Sequence, residues 1–177
     1  MLSPPLTVAQ FTALGPAHSG YTELVEGRPV SSPAAAAGHN FACGNLISQL
    51  AAQLPAHLRV TYAPDVDLEL APPDAPGFVR RPDVVVFHRG ASDPVRASEV
   101  VLAVEVLSPH SHYTDRRAKR LDYAEARIPF YWLVDAASLT PLRLTQEGVF
   151  EEAPVATTTY ETRDPFPVRI ELDQLVD

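Results

Sequence analysis

Two carboxylates and one lysine are the residues of this sequence best suited to chemistry. Asp83 begins an apolar segment, Glu105 lies between two valines in another, and Lys119 follows in a polar segment. A carboxylate in an apolar strand is costly to bury unless it is paired or binds a metal ion. If the two apolar segments form neighbouring strands, both carboxylates reach one edge of a sheet. Such an oxygen-rich site suits Mg²⁺ or Mn²⁺.

Lys119 strengthens this interpretation because it is the only lysine among the 14 basic residues. At this position the chain keeps a compact ammonium group instead of the planar guanidinium that it uses everywhere else. Beside metal-bound carboxylates, an ammonium could hold the attacking water and offset negative charge in a phosphoryl transition state. The pattern therefore indicates metal-dependent phosphoryl chemistry.

A purely structural interpretation of the same residues stays open at this level. Asp83 can cap the start of a strand, and Glu105 can be an exposed residue of an alternating strand. Lys119 lies four residues from both Asp115 and Tyr123. An exposed helix with an i,i+4 ion pair would explain this spacing as well.

The elements that position these residues are short and are separated by the 18 prolines and eight glycines of the chain. Apolar periodicity predicts helices at residues 8–14, 40–54 and 114–127. Segments rich in β-branched and aromatic residues predict strands at 21–25, 29–31, 58–62, 66–70, 84–87, 100–107, 130–134, 139–145, 149–151 and 168–172. Runs of strands enclosed by two substantial helices indicate an α+β or α/β fold with a mixed sheet.

Length and composition predict one globular domain over residues 1–177, since 46% of the residues are hydrophobic and 20% are charged. The longest apolar stretches have five residues, far short of the roughly 20 that span a bilayer. The N-terminus lacks the basic and apolar features of a secretory signal, so we expect a cytoplasmic protein without a membrane segment. The single cysteine, Cys43, falls on the apolar face of the second helix, and we interpret it as a small hydrophobic residue.

The net charge of −8 counts against a nucleic-acid partner, because affinity for nucleic acids comes mostly from neutralising phosphates. The basic residues are concentrated, however, since residues 80–127 contain nine basic and seven acidic side chains. An arginine-rich exposed helix explains about half of this concentration. A nucleic-acid interface in this chain therefore requires that the basic residues share one face.

Six segments in sequence order carry a family resemblance. They are Tyr-x-Glu-Leu-Val-x-Gly at 21–27, a histidine opening a helix at position 39, Arg-Pro-Asp-Val at 81–84, Glu-Val-Leu-Ser-Pro at 105–109, Asp-x-x-x-Lys-x-x-x-Tyr at 115–123 and Tyr-Trp-Leu-Val-Asp at 131–135. Together they resemble the Uma-type family, bacterial proteins described as putative restriction endonucleases. The resemblance covers about residues 6–150 and leaves 151–177 as a C-terminal extension.

This resemblance implies the PD-(D/E)xK nuclease superfamily and its restriction-endonuclease-like fold, a mixed central β-sheet flanked by helices, here with extra N- and C-terminal β-hairpins. By position, Asp83 and Glu105 would bind the Mg²⁺ or Mn²⁺ ion that activates water for phosphodiester hydrolysis, and Lys119 would assist as the catalytic lysine. One departure concerns the strict Glu-x-Lys motif, which would place the lysine at position 107, where this chain has Leu107. The lysine would therefore have moved to the following helix.

The resemblance also suggests accessory residues around the metal ion. Glu23 of the first hairpin would be an additional metal ligand, or alternatively a surface residue of its strand. His39 would face the same site, or simply pack at the start of its helix. Asp115 would orient Lys119, and Tyr123 would pack beneath that lysine.

DNA is the substrate that the resemblance implies, and cutting both strands of a duplex favours a homodimer with twofold symmetry. The predicted nucleic-acid contacts are Arg80, Arg81, Arg116, Arg117 and Arg120. The alternative is a nuclease-like fold that binds a nucleic acid or a protein partner without hydrolysis. Geometry distinguishes the two hypotheses, because catalysis requires that Asp83, Glu105 and Lys119 converge around one point.

Overall fold

The computed structural model describes residues 3–15, 20–32, 34–107, 114–135 and 138–175, with the backbone alone at 114–116. The α-helices in these parts of the chain are α1 (Val8–Ala13), α2 (Ala37–Ala51) and α3 (Arg120–Glu125), and short 3-10 helices lie at Ala97–Glu99 and Leu172–Gln174. A π-helical segment, Thr114–Lys119, leads directly into α3. None of the helices in the described ranges has the length and hydropathy needed to cross a bilayer.

The central sheet contains six of the strands. In chain order the strands are β1 (Tyr21–Val25), β2 (Arg28–Ser32), β3 (Leu58–Tyr62), β4 (Val66–Asp67), β5 (Val79–Arg80), β6 (Val84–His88), β7 (Val95–Arg96), β8 (Val100–Val106), β9 (Phe130–Asp135), β10 (Ser138–Leu144), β11 (Phe150–Glu152), β12 (Thr159–Thr162) and β13 (Val168–Glu171). The central sheet has the order β11-β10-β9-β8-β6-β3. Its β8 and β9 are parallel, while its other neighbours are antiparallel, so the sheet is mixed.

Parallel neighbours require a crossover connection, and the crossover between β8 and β9 contains the π-helical segment and α3. A second sheet has the order β2-β1-β5-β4-β7 and includes the N-terminal hairpin, while β12 and β13 form a C-terminal hairpin. The structure thus confirms the predicted α+β fold with a mixed central sheet flanked by helices. The N-terminal hairpin is part of a larger sheet that the sequence did not predict.

Side chains alternate between the two faces of the central sheet and divide the core into two clusters. Val84 belongs to the first cluster, together with the α2 residues Ala42, Cys43, Leu46 and Leu50. Its neighbour Val85 belongs to the second, together with Tyr123, Ala124 and Ile128 from α3 and the turn after it. Helix α2 and the crossover therefore cover opposite faces of the sheet.

Several predicted boundaries differ from the structure for physical reasons. Helix α2 begins at Ala37, so His39 lies in its first turn and does not precede it. The predicted strand at 66–70 ends at Asp67, because Glu69 has a φ of 55°, which lies outside the β region. The predicted helix at 114–127 is divided into a π-helical and an α-helical part. The sequence did not predict β5, β7 or β12, because two-residue strands and a polar strand are fixed mainly by their pairing partners.

Leu46 tests the packing of α2 on the central sheet. The residue is fully buried, and Leu46→Ala should lower the free energy of unfolding by about 2–5 kcal/mol because it leaves a cavity. Leu121→Ala is the matched control, since Leu121 of α3 is 65% exposed and its truncation should cost less than about 0.5 kcal/mol. Urea unfolding measures both variants. Equal effects would contradict the packing described for α2.

Candidate active site

The strand register brings Asp83 and Glu105 to the same edge of the central sheet. Val84 of β6 pairs with Val104 of β8 in antiparallel register, so the residue before Val84 lies opposite Glu105. Asp83 lies just before β6, where its carboxylate contacts His39 of α2, whereas the carboxylate of Glu105 contacts Lys119 and Tyr123 of the crossover. The Val106 N–H donates a hydrogen bond of 2.7 Å to Asp83 Oδ2 and ties this carboxylate to β8.

A lysine and a tyrosine from the crossover hold Glu105. Lys119 Nζ donates to both carboxylate oxygens of Glu105, each at 3.0 Å, and the Tyr123 hydroxyl donates to Oε1 at 2.8 Å. The side chains of Lys119 and Glu105 are only 3% and 2% exposed. Burial and the nearby charge of Glu105 raise the pKa of Tyr123 well above its ordinary value, so its hydroxyl remains a donor.

The second sheet contributes the carboxylate of Glu23, which an arginine holds in place. Glu23 Oε2 accepts a hydrogen bond of 2.8 Å from Arg80 Nη1, and Oε1 accepts one of 2.9 Å from the Arg81 backbone N–H. Glu23 Oε1 also lies 3.4 Å from Lys119 Nζ. Arg80 Nε donates to Asp122 Oδ2 at 2.7 Å and so connects Glu23 to α3. Burial lowers the pKa of Arg80, but Glu23 and Asp122 outweigh it and hold that pKa above its ordinary value.

His39 reaches Asp83 from helix α2. Its Nε2 lies 3.1 Å from Asp83 Oδ1, and the two side chains are 13% and 15% exposed. Cys43, one turn further along α2, is fully buried. Its Sγ, a ring nitrogen of His39 and a carboxylate oxygen of Asp83 all lie within 4.8 Å of one another. Burial, followed by the charges of Asp83 and Glu105, raises the pKa of the Cys43 thiol.

The structure separates the arginines that were predicted to contact nucleic acid. Arg80 is 5% exposed, and its guanidinium is bound by the carboxylates of Glu23 and Asp122. It therefore connects these two groups, and the prediction that Arg80 contacts nucleic acid at the surface does not agree with its position. Arg81 is partly exposed and pairs with Asp65 at 2.8 Å, Arg117 is exposed, and Arg120 forms an ion pair at the surface. The predicted site residues whose side chains lie outside the described residues are Asp115 and Arg116.

Tyr21 and Asp122 also belong to this neighbourhood, although neither was predicted as a site residue. Asp122 follows Lys119 by three residues, and helical spacing would have placed the two on one face. Tyr21 lies two residues before Glu23 on β1, which places both on one face of that strand. Burial raises the pKa of Tyr21 above its ordinary value, and the positive charge of Lys119 partly opposes this rise.

The cluster carries more negative than positive formal charge. Its four carboxylates and two cations are Glu23, Asp83, Glu105, Asp122, Arg80 and Lys119. With neutral His39 the formal charge is therefore −2, which one divalent cation would neutralise. Carboxylate oxygens are the ligands that Mg²⁺ and Mn²⁺ prefer, so the donor set fits a hard divalent ion.

A mixed central sheet, with carboxylates at the ends of two neighbouring strands and a buried lysine supplied by the crossover, is typical of a restriction-endonuclease-like fold. Residues 8–174 match the Uma2 family, described as "Putative restriction endonuclease", and the chain belongs to this family. Similar solved structures include a "putative nuclease belonging to DUF820" from Anabaena variabilis, with 17% identity, a TM-score of 0.68 and coverage of 97% of each chain. That likeness establishes the fold. No curated protein matches the chain. The resemblance found in the sequence motifs is thus confirmed.

Substitution of Arg80 tests how much this buried arginine contributes to the stability of the fold. Arg80→Met should lower the free energy of unfolding by about 3–5 kcal/mol, because it leaves Glu23 buried without its main cation. The matched control is Arg143→Met, since the Arg143–Asp164 pair is 69% and 67% exposed and should contribute about 0–1 kcal/mol. Denaturant unfolding compares the two variants. If Arg80→Met lowers the free energy of unfolding as little as the control does, Arg80 does not stabilise the buried Glu23 as described.

The burial of Tyr123 predicts how the free energy of unfolding depends on pH. Its pKa is raised in the folded protein, so its contribution is fully present below the unfolded pKa of about 10 and is lost as the pH rises towards the folded pKa. Tyr123→Phe should therefore lose stability less steeply than the wild type above pH ~10. At neutral pH it should cost about 1–3 kcal/mol through the lost hydrogen bond.

Unfolding measured at a series of alkaline pH values tests this prediction. Tyr62→Phe provides a control, because Tyr62 is 46% exposed and its removal should change the slope less. If the free energies of unfolding of Tyr123→Phe and the wild type fall in parallel as the pH rises, the pKa of Tyr123 is not raised in the folded protein.

Proposed function

We propose that the protein is a metal-dependent endonuclease that hydrolyses phosphodiester bonds, with DNA as its substrate. The observation that carries this proposal is the buried contact between Glu105 and Lys119 beside Asp83. Metal-dependent phosphodiester hydrolysis uses side chains of these types. The family's description as a putative restriction endonuclease supports the proposal, as does the description of the similar Anabaena variabilis protein as a putative nuclease.

Asp83 and Glu105 are proposed as ligands of Mg²⁺ or Mn²⁺, with Glu23 as an additional ligand. The formal charge of the cluster and its oxygen donors support a hard divalent cation at this place. Such an ion supplies Lewis acidity and lowers the pKa of water, so that a nucleophile is available at neutral pH.

The surrounding side chains hold both proposed carboxylate ligands in fixed orientations. Asp83 is held through one oxygen by His39 and through the other by the Val106 N–H. Glu105 Oε1 is held by the protonated hydroxyl of Tyr123. Preorganised groups of this kind need little rearrangement during the reaction, which favours catalysis.

Lys119 is proposed as the catalytic lysine. Its ammonium would hold the attacking water and offset the negative charge that develops on the phosphate. The nearby Glu23 and Glu105 keep a positive charge favourable in this buried position. Asp115 is proposed to orient Lys119.

The proposed nucleic-acid surface comprises Arg81, Arg116, Arg117 and Arg120. Arg81 pairs with Asp65, so binding a phosphate would exchange one ion pair for another. With a net charge of −8, the protein should bind DNA through a small number of phosphate contacts. A homodimer with twofold symmetry would present one site to each strand of a duplex.

Cleavage assays with site variants test the proposed nuclease activity. Supercoiled plasmid and single-stranded DNA are incubated with Mg²⁺ or Mn²⁺ and with the wild type, Asp83→Asn or Lys119→Met. We expect metal-dependent cleavage by the wild type and cleavage at least about 100-fold slower by both variants, because each change removes a charged group from the reacting centre. Arg143→Met is the control, since its ion pair lies at the surface.

Circular dichroism establishes that each variant is folded. Wild-type rates in folded Asp83→Asn and Lys119→Met would contradict the assigned site. DNA binding without cleavage by the folded wild type would instead favour the alternative, a nuclease-fold module that binds its partner without hydrolysis.

A further inference from the structure

His39, Cys43 and Asp83 bring three different metal-ligating atoms together beside α2. These atoms lie within 4.8 Å of one another, and His39 Nε2 is 3.1 Å from Asp83 Oδ1. Two ligands bonded to one tetrahedral zinc ion at about 2.0–2.1 Å lie roughly 3.3 Å apart. The histidine and the aspartate thus already have nearly the separation that such an ion requires, and Cys43 Sγ lies within 4.8 Å of a ligand atom of each.

The helix and the sheet hold these three side chains in place. His39 and Cys43 are four residues apart on the 15-residue helix α2, so they face the same side on successive turns. Asp83 is fixed from the sheet by the Val106 N–H. Cys43 is fully buried, while His39 and Asp83 are partly exposed, so an ion would enter from their side. Three protein ligands leave a fourth position for water or another exchangeable ligand.

We propose that His39, Cys43 and Asp83 form a binding site for a transition-metal ion of the Zn²⁺ class. A thiolate and an imidazole favour Zn²⁺ over Mg²⁺, whereas the carboxylates of Glu105 and Glu23 favour the hard ion. The ion replaces the thiol proton of Cys43, which leaves to solvent, and no electron transfer is involved. The second site therefore shares Asp83 with the first and differs from it in the other ligands and in the metal that it selects.

Asp83 belongs to both proposed sites, and this gives the second site a consequence. A Zn²⁺ ion held by His39 and Cys43 engages Asp83 and removes it from the hard-ion site. Zn²⁺ should therefore inhibit cleavage that is supported by Mg²⁺. This consequence rests on the proposed function, whereas metal binding itself does not.

Cobalt spectroscopy tests the binding site directly. Metal-free protein comprising residues 1–177 is titrated with Co²⁺, and the near-ultraviolet thiolate-to-Co²⁺ charge-transfer band is recorded. The chain contains one cysteine, so the band reports on Cys43 alone. We expect the band in the wild type, its disappearance when Zn²⁺ is added, and its absence from Cys43→Ser and Cys43→Ala. The Zn²⁺ affinity of Cys43→Ser and His39→Gln should fall at least about tenfold.

His57→Gln is the matched control. His57 stacks on His88 with ring centroids 6.1 Å apart, at the end of β6 opposite Asp83. This variant should keep the wild-type band and affinity. Absence of the band from the wild type at saturating Co²⁺ would overturn the proposal. So would a folded His39→Gln variant that shows the band and binds Co²⁺ with wild-type affinity.

The spectroscopic result is valid whether or not the protein cleaves DNA, so the two proposals can fail separately. If cleavage is observed, Zn²⁺ should inhibit Cys43→Ser at least about tenfold more weakly than the wild type. Equal inhibition of both proteins would overturn the proposed competition for Asp83.

Discussion

The structure depends on burying the ion pair between Lys119 and Glu105 at the edge of the central sheet. Removing two charges from water is expensive, and their attraction compensates only when the remaining donors and acceptors are also satisfied. Lys119 bonds to both oxygens of Glu105 and lies near Glu23, while Tyr123 donates to Glu105 as well. In the described parts of the chain, no buried side-chain nitrogen or oxygen lacks a hydrogen-bond partner. The buried pair of Lys119 and Glu105 therefore depends on the hydrogen bonds and charges of the side chains around it.

That requirement explains why a second sheet and the crossover meet at this point. Glu23 is itself a buried carboxylate, and its contact with Lys119 alone would leave it poorly compensated, so it also needs Arg80. Arg80 has more donors than Glu23 can accept, and Asp122 of α3 takes the others. The ion pairs run from the central sheet through Lys119 to β1, then through Arg80 back to α3. This closed path connects three elements to one another through charged side chains.

Local sequence patterns were sufficient for the centre of this site and insufficient for its surroundings. Asp83 directly precedes one apolar strand and Glu105 interrupts another, which is visible in the sequence, and strand pairing then places them together. Arg80 was interpreted as a surface residue because its burial depends on Glu23 and Asp122, which are 57 and 42 residues away. Cys43 was correctly expected to be buried, but the His39–Asp83 contact beside it joins residues 44 apart. Long-range pairing of this kind leaves no periodic signal in the sequence.

The two cations of the cluster show why a lysine suits position 119. The planar guanidinium of Arg80 bonds to Glu23 and Asp122 at once, and this bridge between two carboxylates fixes it in place. The ammonium of Lys119 is a compact charge on a flexible stem, so it can turn towards another anion without rebuilding a planar contact. Under the proposed function, a cation bound by Asp83 and Glu105 would take over the neutralisation of Glu105, and the charge of Lys119 would become available to a phosphate. Arginine thus holds the elements together, while a lysine at position 119 suits the proposed role, in which the charged partner changes.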